Sequence, residues 1–171
     1  QPRLWSIEDP QLYRVTVDLD MGTDSATYSD QRTVNCGFRD FRVENGYFRL
    51  NGKRILLRFT IMMNHFAIGQ QVPQNPDLLR RDLIHVKAGG FNAVRFIAGG
   101  AYSEQLDLCD EIGLMVYDEF YAGWFLLDSP MMAERYDSSM LGVVLRDRNH
   151  PSVVMWGLLN ETREGPVFRH A

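Results

Sequence analysis

After residue 50 the chain alternates four short apolar runs with three helical patterns, and each run leads into polar or ionisable residues. Residues 54–60, 91–97, 114–117 and 153–158 read as strands. The last of these, with Val153, Val154, Met155 and Trp156, is apolar on both faces, as parallel strands are. Between them, Pro76 and Asp77 open a helix reaching about Ala88, which Gly89 and Gly90 end. Ser103 is the expected N-cap of a second helix that runs to Ile112 and stops at Gly113. A third is expected from about Met131 to Arg146. Strand and helix in strict alternation predict a parallel α/β architecture. A closed (β/α)8 barrel takes about 250 residues, so four units correspond to its first half.

Upstream of residue 50 the period is two. Leu12, Arg14, Thr16 and Asp18 fall on one side, and Tyr13, Val15, Val17 and Leu19 on the other, which predicts a half-buried antiparallel strand. A second extended stretch is expected over residues 31–40, with Gly37 as a bulge. Asn45-Gly46 and Asn51-Gly52 are tight-turn dipeptides flanking the run 47–50. About three strands are present where an immunoglobulin-like sandwich needs roughly seven. The expected organisation is therefore the C-terminal part of such a sandwich over residues 1–48, followed by the N-terminal half of a barrel over 49–171. A sequence of this kind is expected to be a segment of a longer chain.

Barrels place their chemistry at the carboxyl ends of their strands. The groups found there are Asn64 and His65 after the first run, Arg95 within the second, Asp118 and Glu119 after the third, and Asn160 and Glu161 after the fourth. A carboxyl group beside a neutral amide at a strand end suits proton donation to a leaving oxygen. The same Glu161 would also suit the cap of a following helix, since acidic residues favour helix N-termini. Arg95, in an apolar strand, requires a carboxylate partner if buried, and Asp118 is expected to orient its neighbours. His150 precedes the fourth run and is expected to serve the structure, capping the preceding helix.

Other chemistries find little support. The formal charge of −4 offers no general attraction to nucleic acid. No apolar run approaches the 18 or so residues of a membrane span. Cys36 and Cys109 lack metal or disulfide spacing and are expected to be free thiols. Neither His-x-His nor His-Glu-x-x-His occurs, nor a nucleotide-binding glycine motif, so no metal and no cofactor are expected.

The block from Arg146 to Glu161 closely resembles the strand-four signature of glycoside hydrolase family 2, which includes β-galactosidases, β-glucuronidases and β-mannosidases. Further pieces are similar to the same family in order: Leu4-Trp5 through Tyr13, Gly37-Phe38-Arg39, Leu50-Asn51-Gly52, Asn92 to Arg95, Asp110 to Gly113, and Asp118-Glu119. The resemblance implies a multidomain retaining exo-β-glycosidase acting on terminal β-linked sugars. It implies that Glu161 is the general acid/base, that Asn160 binds the sugar 2-hydroxyl, and that His65 and Glu119 lie in the substrate pocket. Arg95 and Asp118 are expected to give structural support. The nucleophilic glutamate of the family belongs to strand seven, beyond Ala171, so the isolated chain is expected to be inactive. The expected partner is a carbohydrate substrate, with neither nucleic acid nor membrane, and an oligomer is possible in the full-length protein. Bacterial cytoplasm and periplasm both remain open as the location.

One departure bears on the substrate. Many members carry His-Tyr-Pro after the strand-two arginine, where this sequence has Ala98, Gly99 and Gly100. A carbohydrate-binding or scaffold protein that retains the barrel motif without catalysis is the alternative.

Overall fold

Alternation before residue 50 builds two antiparallel sheets. β1 (Tyr13–Thr23) and β2 (Ala26–Cys36) pair in unbroken register starting from Tyr13 opposite Cys36. β3 (Phe41–Glu44), β4 (Tyr47–Leu50) and β5 (Lys53–Arg54) form a meander. Its turns are the expected dipeptides, with φ of +52° and +76° at Asn45 and Gly46 and +52° and +77° at Asn51 and Gly52. Two successive left-handed residues match the twist of a tight hairpin. The computed structural model describes all residues except 24–25, 67, 74, 124–128, 163–164 and 166–171.

The second half is α/β. β6 (Phe59–Met62), β7 (Ala93–Phe96), β8 (Met115–Glu119) and β9 (Val153–Gly157) lie side by side in that order, each parallel to the next. α1 (Asp77–Ala88), α2 (Ser103–Ile112) and α3 (Met132–Asp147) connect them. This is the first half of a (β/α)8 barrel, preceded by the last strands of an immunoglobulin-like sandwich.

Several local expectations need correction. The apolar run 54–60 is not one strand: Arg54 closes the meander, and the barrel strand begins at Phe59. Ser103 is the first residue of α2 rather than its cap. Tyr102 occupies the cap, and its N–H donates to Gln105 Oε1 at 2.9 Å. Gly37 makes no bulge; a Cβ there would stand 2.6 Å from Pro151 Cγ, so glycine permits a close approach. The apolar face of β1 is exposed rather than half-buried. Val15, Val17, Leu19 and Met21 join none of the hydrophobic clusters of the described residues. A period of two marks a face that seeks an opposing layer but does not supply that layer.

The pleat sorts the parallel strands into two faces. Val94, Phe96, Val116 and Val153 pack against Leu83 of α1 and Leu106 and Cys109 of α2 in the largest cluster. Burying each large apolar side chain contributes about 1.5–3 kcal/mol. Ala93 and Met115 face the other way and meet Trp5 and Leu50. At this floor, the amino-terminal end of the strands, the fully buried Trp5 donates from Nε1 to the Asp110 carbonyl at 2.8 Å. Arg39 donates to the Pro151 and Val153 carbonyls. Both the N-terminal segment and the sandwich-to-barrel junction are thus fastened to the sheet.

Candidate active site

Asp118 and Glu119 end β8 from inside the strand, so they point to opposite faces. Glu119 turns to the face shared with Ala93 and Met115. It is fully buried, and Oε2 accepts from Arg95 Nε at 2.8 Å and Nη2 at 2.5 Å. Its Oε1 accepts from the Ala98 N–H at 2.9 Å. With both oxygens occupied by protein donors, Glu119 positions Arg95 and the segment after β7. That differs from the pocket-lining place expected of it. Room for this pairing comes from Gly157 opposite Glu119: a Cβ there would lie 2.7 Å from Glu119 Cγ and 2.6 Å from Tyr117 Cε2. A glycine inside an apolar strand was the signal for such an approach.

Arg95 carries the network onward. Its Nη2 also donates to Asn160 Oδ1 at 2.8 Å, and its guanidinium lies 5.3 Å from the Tyr117 ring centre. Because Arg95 can only donate, the amide of Asn160 must present its oxygen inward and leave Nδ2 as the free donor. Asn160 is 2 % exposed, its N–H donates to the Ala122 carbonyl at 2.7 Å, and Nδ2 has no hydrogen-bond partner among the described residues. Glu161 follows immediately, exposed and with φ of +49°. A left-handed glutamate costs roughly 1–2 kcal/mol relative to the ordinary helical region.

Asp118 turns to the helix-facing side and is also fully buried. Its Oδ1 accepts from the Ala101 N–H at 2.8 Å, while Oδ2 meets no donor among the described residues. Burial pushes its pKa up to about 7. Asp147 raises it further, while the Ala101 amide and Arg146 oppose the rise. The raised pKa and the side-chain hydrogen bond toward Asp147 that contributes to it account for an oxygen left without a donor. Arg146 grips both oxygens of Asp147, at 2.6 and 2.7 Å, and donates to the Ala101 carbonyl at 2.9 Å.

Asp118 and Glu119 therefore hold the two ends of one turn, 98–101, from opposite faces of the sheet. The turn borders a cleft of about 420 Å³ at the carboxyl ends of β6 and β7, lined also by His65, Gln71, Tyr102 and Tyr121. His65 is exposed at this cleft, and Asn64 Nδ2 donates to the Gly100 carbonyl at 3.2 Å. Tyr102 and Tyr121 were not singled out from the sequence; isolated aromatics in loops carry no periodic signal.

His150 lies at the floor, far in structure from this rim. It does not cap α3 with its ring: Nδ1 donates to Asp110 Oδ2 at 2.7 Å, and Asp110 Oδ1 accepts from the Ser152 N–H. Burial lowers its pKa, but the hydrogen bond and charge of Asp110, with Asp107 and Asp147, raise it on balance. Asp107, Asp110 and His150 place three potential ligand atoms within 4.8 Å of one another. Both Asp110 oxygens are already engaged, so the group works as a hydrogen-bond network. Cys36 and Cys109 are free thiols.

Arg95, Glu119 and Asn160 form a largely buried chain at the carboxyl ends of the parallel strands, where (β/α)8 barrels place their active sites. The family model for the TIM barrel domain of glycosyl hydrolases family 2 matches residues 41–170, and that described as glycosyl hydrolases family 2 matches residues 1–39. The chain belongs to glycosyl hydrolases family 2. It is 35 % identical over 174 aligned residues to a β-galactosidase of Alteromonas mediterranea, covering 98 % of this chain and 16 % of that relative. Among solved structures, a Bacteroides uniformis β-glucuronidase 3 superposes with a TM-score of 0.81 at 32 % identity, covering 93 % of this chain and 20 % of that one. The Parabacteroides merdae β-glucuronidase gives 0.79 at 31 % identity, covering 93 % and 19 %. The chain thus spans about a fifth or less of the length of these relatives.

Proposed function

We propose that this chain supplies the acid/base half of a retaining exo-β-glycosidase site that cleaves terminal β-linked sugars. The observation that carries the reading is the Nδ2 donor of Asn160, buried, without a partner among the described residues and fixed in orientation by Arg95 and Glu119. Such a donor suits a sugar hydroxyl next to the anomeric carbon, a contact that strengthens as the transition state gains oxocarbenium character. Glu161, next in the chain, is the proton donor to the departing oxygen. The attacking carboxylate, which a retaining mechanism places about 5–5.5 Å from the acid, is expected from a later strand, so these 171 residues alone are expected to be inactive. The relatives named as a β-galactosidase and β-glucuronidases support the class of bond without fixing the sugar. His65 is exposed at the rim cleft and is assigned to substrate contact, and the division into sandwich and barrel is placed near residue 48.

The test is Glu161→Gln in the full-length protein. Turnover of glycosides with poor leaving groups is expected to fall by about 10²–10⁴, that of activated aryl glycosides far less, with azide restoring part of the loss. Equal, unchanged rates on both classes remove Glu161 from the role. Undiminished sugar binding by a protein with no turnover at all identifies the non-catalytic alternative.

A further inference from the structure

Gly99 and Gly100 are adjacent, yet the fold requires only one of them. Gly100 has φ of +67°, and a Cβ there would lie 3.5 Å from Asp118 Oδ1 and 3.6 Å from the Glu119 carbonyl. The left-handed turn over Asp118 explains it. Gly99 lies outside the left-handed region, and a Cβ added to it would meet Tyr121 Cε1 at 3.6 Å and the Ile97 carbonyl at 3.8 Å, both ordinary contacts. Neither backbone nor packing excludes a side chain at 99. What its absence preserves is the space in front of the turn.

That space has a defined character. Its floor is rigid: Glu119 holds the Ala98 N–H, Asp118 the Ala101 N–H, and Asn64 the Gly100 carbonyl. Ala98 is held at φ of +52°, a conformation an alanine keeps only where its surroundings over-determine it. Tyr102 closes one side by donating from its hydroxyl to the Gln71 carbonyl. Tyr121, 68 % exposed, stands at the other side. No Lys, Arg, Asp or Glu is among the described lining residues. The walls offer phenol rings, an imidazole, amides and main-chain groups, which suit an uncharged ligand with an apolar face and hydroxyl edges; a charged one would lose hydration without gaining a partner. Only Gly123 separates the cleft wall at Ala98 from the residue that carries the donor, Asn160. A Cβ at Gly123 would touch both Ala98 Cβ, at 3.5 Å, and Asn160 Cβ, at 3.9 Å.

We infer that this cleft is a specificity subsite, with Gly99 as its determining residue, for a second neutral sugar ring borne by the terminal ring at Asn160. The inference rests on the glycosidase reading above and widens its substrate class from bare terminal sugars to chain-end sugars that carry one neutral sugar branch, released with that branch attached. About 420 Å³ lies within the 300–1,000 Å³ typical of small-molecule sites.

Aryl glycosides test it on the purified full-length protein. One set carries a single neutral sugar, a second the same sugar with a neutral monosaccharide branch at each free hydroxyl in turn, and a third a uronic acid branch. At least one neutral-branched substrate is expected to match or exceed the simple one in kcat/KM, with the uronic acid analogue at least tenfold poorer. Gly99→Phe, checked for folding by its thermal midpoint, is expected to lower the branched-to-simple ratio at least tenfold, mainly through KM. If Gly99→Phe does not fold, Gly99→Ala must shift the ratio in the same direction. A wild-type protein that hydrolyses only the unbranched glycoside, accepts the uronic acid branch equally well, or keeps its ratio in both variants overturns the subsite. Absence of turnover on every aryl glycoside instead overturns the glycosidase reading beneath it.

Discussion

At the amino-terminal ends of the parallel strands, Trp5, His150 and the Ser152 N–H all bond to Asp110, which ties together segments far apart in sequence. At the carboxyl ends of the same strands, Asn160 Nδ2 is buried without a partner among the described residues, Asp118 is buried beside the carboxylate of Asp147, and Ala98 and Glu161 hold left-handed backbone. The floor is not free of exceptions, since Ser152 Oγ is also unsatisfied. The contrast still separates two uses of polar groups. Below, they fasten main chain to main chain and add stability; above, they hold donors and turns ready at a cost in stability. Functional sites are where such strain and unsatisfied groups accumulate.

Removing a floor anchor gives the largest expected effect. Trp5→Ala is expected to cost about 3–5 kcal/mol in urea unfolding, as deletion of a fully buried aromatic does. Turnover per folded molecule should be unchanged in the full-length protein. A large fall in that turnover with little loss of stability would break the division between floor and rim. Next comes Arg95→Met, which leaves Glu119 buried without its counter-charge. Breaking such a pair costs about 3–5 kcal/mol, and the lower end is expected because Arg95 is a quarter exposed. Here activity should vanish too, because Asn160 loses the contact that orients it. Retained turnover would show that Asn160 is held by its main chain alone.

These two positions also mark what the sequence made legible. α1 and α2 end at Ala88 and Ile112 as expected, because glycine stop signals are local. The parallel order follows from the alternation of elements, and the need of Arg95 for a carboxylate follows from its apolar strand. The facing of Asp118 and Glu119 was not legible. Alternation says that the two differ, but only the packed helices decide which points to them. Likewise, Gly37 answers to Pro151, more than a hundred residues away, and the openness of the β1 face depends on which layer opposes it. The run 54–60 misled for a related reason: its apolar residues serve two adjoining sheets, and composition does not mark the change of partner.

A smaller effect should separate rim from floor by pH. The folded chain holds the Asp118 proton to about pH 7, whereas the unfolded carboxyl releases it near 3.8. The contribution is therefore fully present below about pH 4 and is lost as pH rises through 7. His150, with its raised pKa, acts in the same direction at the floor, its contribution present below about 6.5 and lost as pH rises through its folded value. Asp118→Asn keeps an acceptor for Ala101 and gains a donor toward Asp147. Urea midpoints from pH 4 to 8 should fall less steeply in the variant, which should be the more stable protein at pH 8. An identical slope in both would assign the pH dependence to the floor.

The smallest effect sharpens the contrast most, because it sets stability against activity at one residue. Ala98→Gly removes left-handed strain of roughly 1–2 kcal/mol, while the extra freedom of glycine in the unfolded chain takes back about 0.5–1. The net is a gain near 0.5 kcal/mol, or about a degree or two in Tm. Since the Ala98 N–H still reaches Glu119 and Ala101 still reaches Asp118, the turn should keep its ends but loosen between them. Discrimination between branched and simple glycosides in the full-length protein should then decline by a few-fold even as the protein becomes slightly harder to unfold. A loss of more than about 1 kcal/mol would mean that the Ala98 methyl group is a packing contact of the scaffold, and the strained turn would belong with the floor after all.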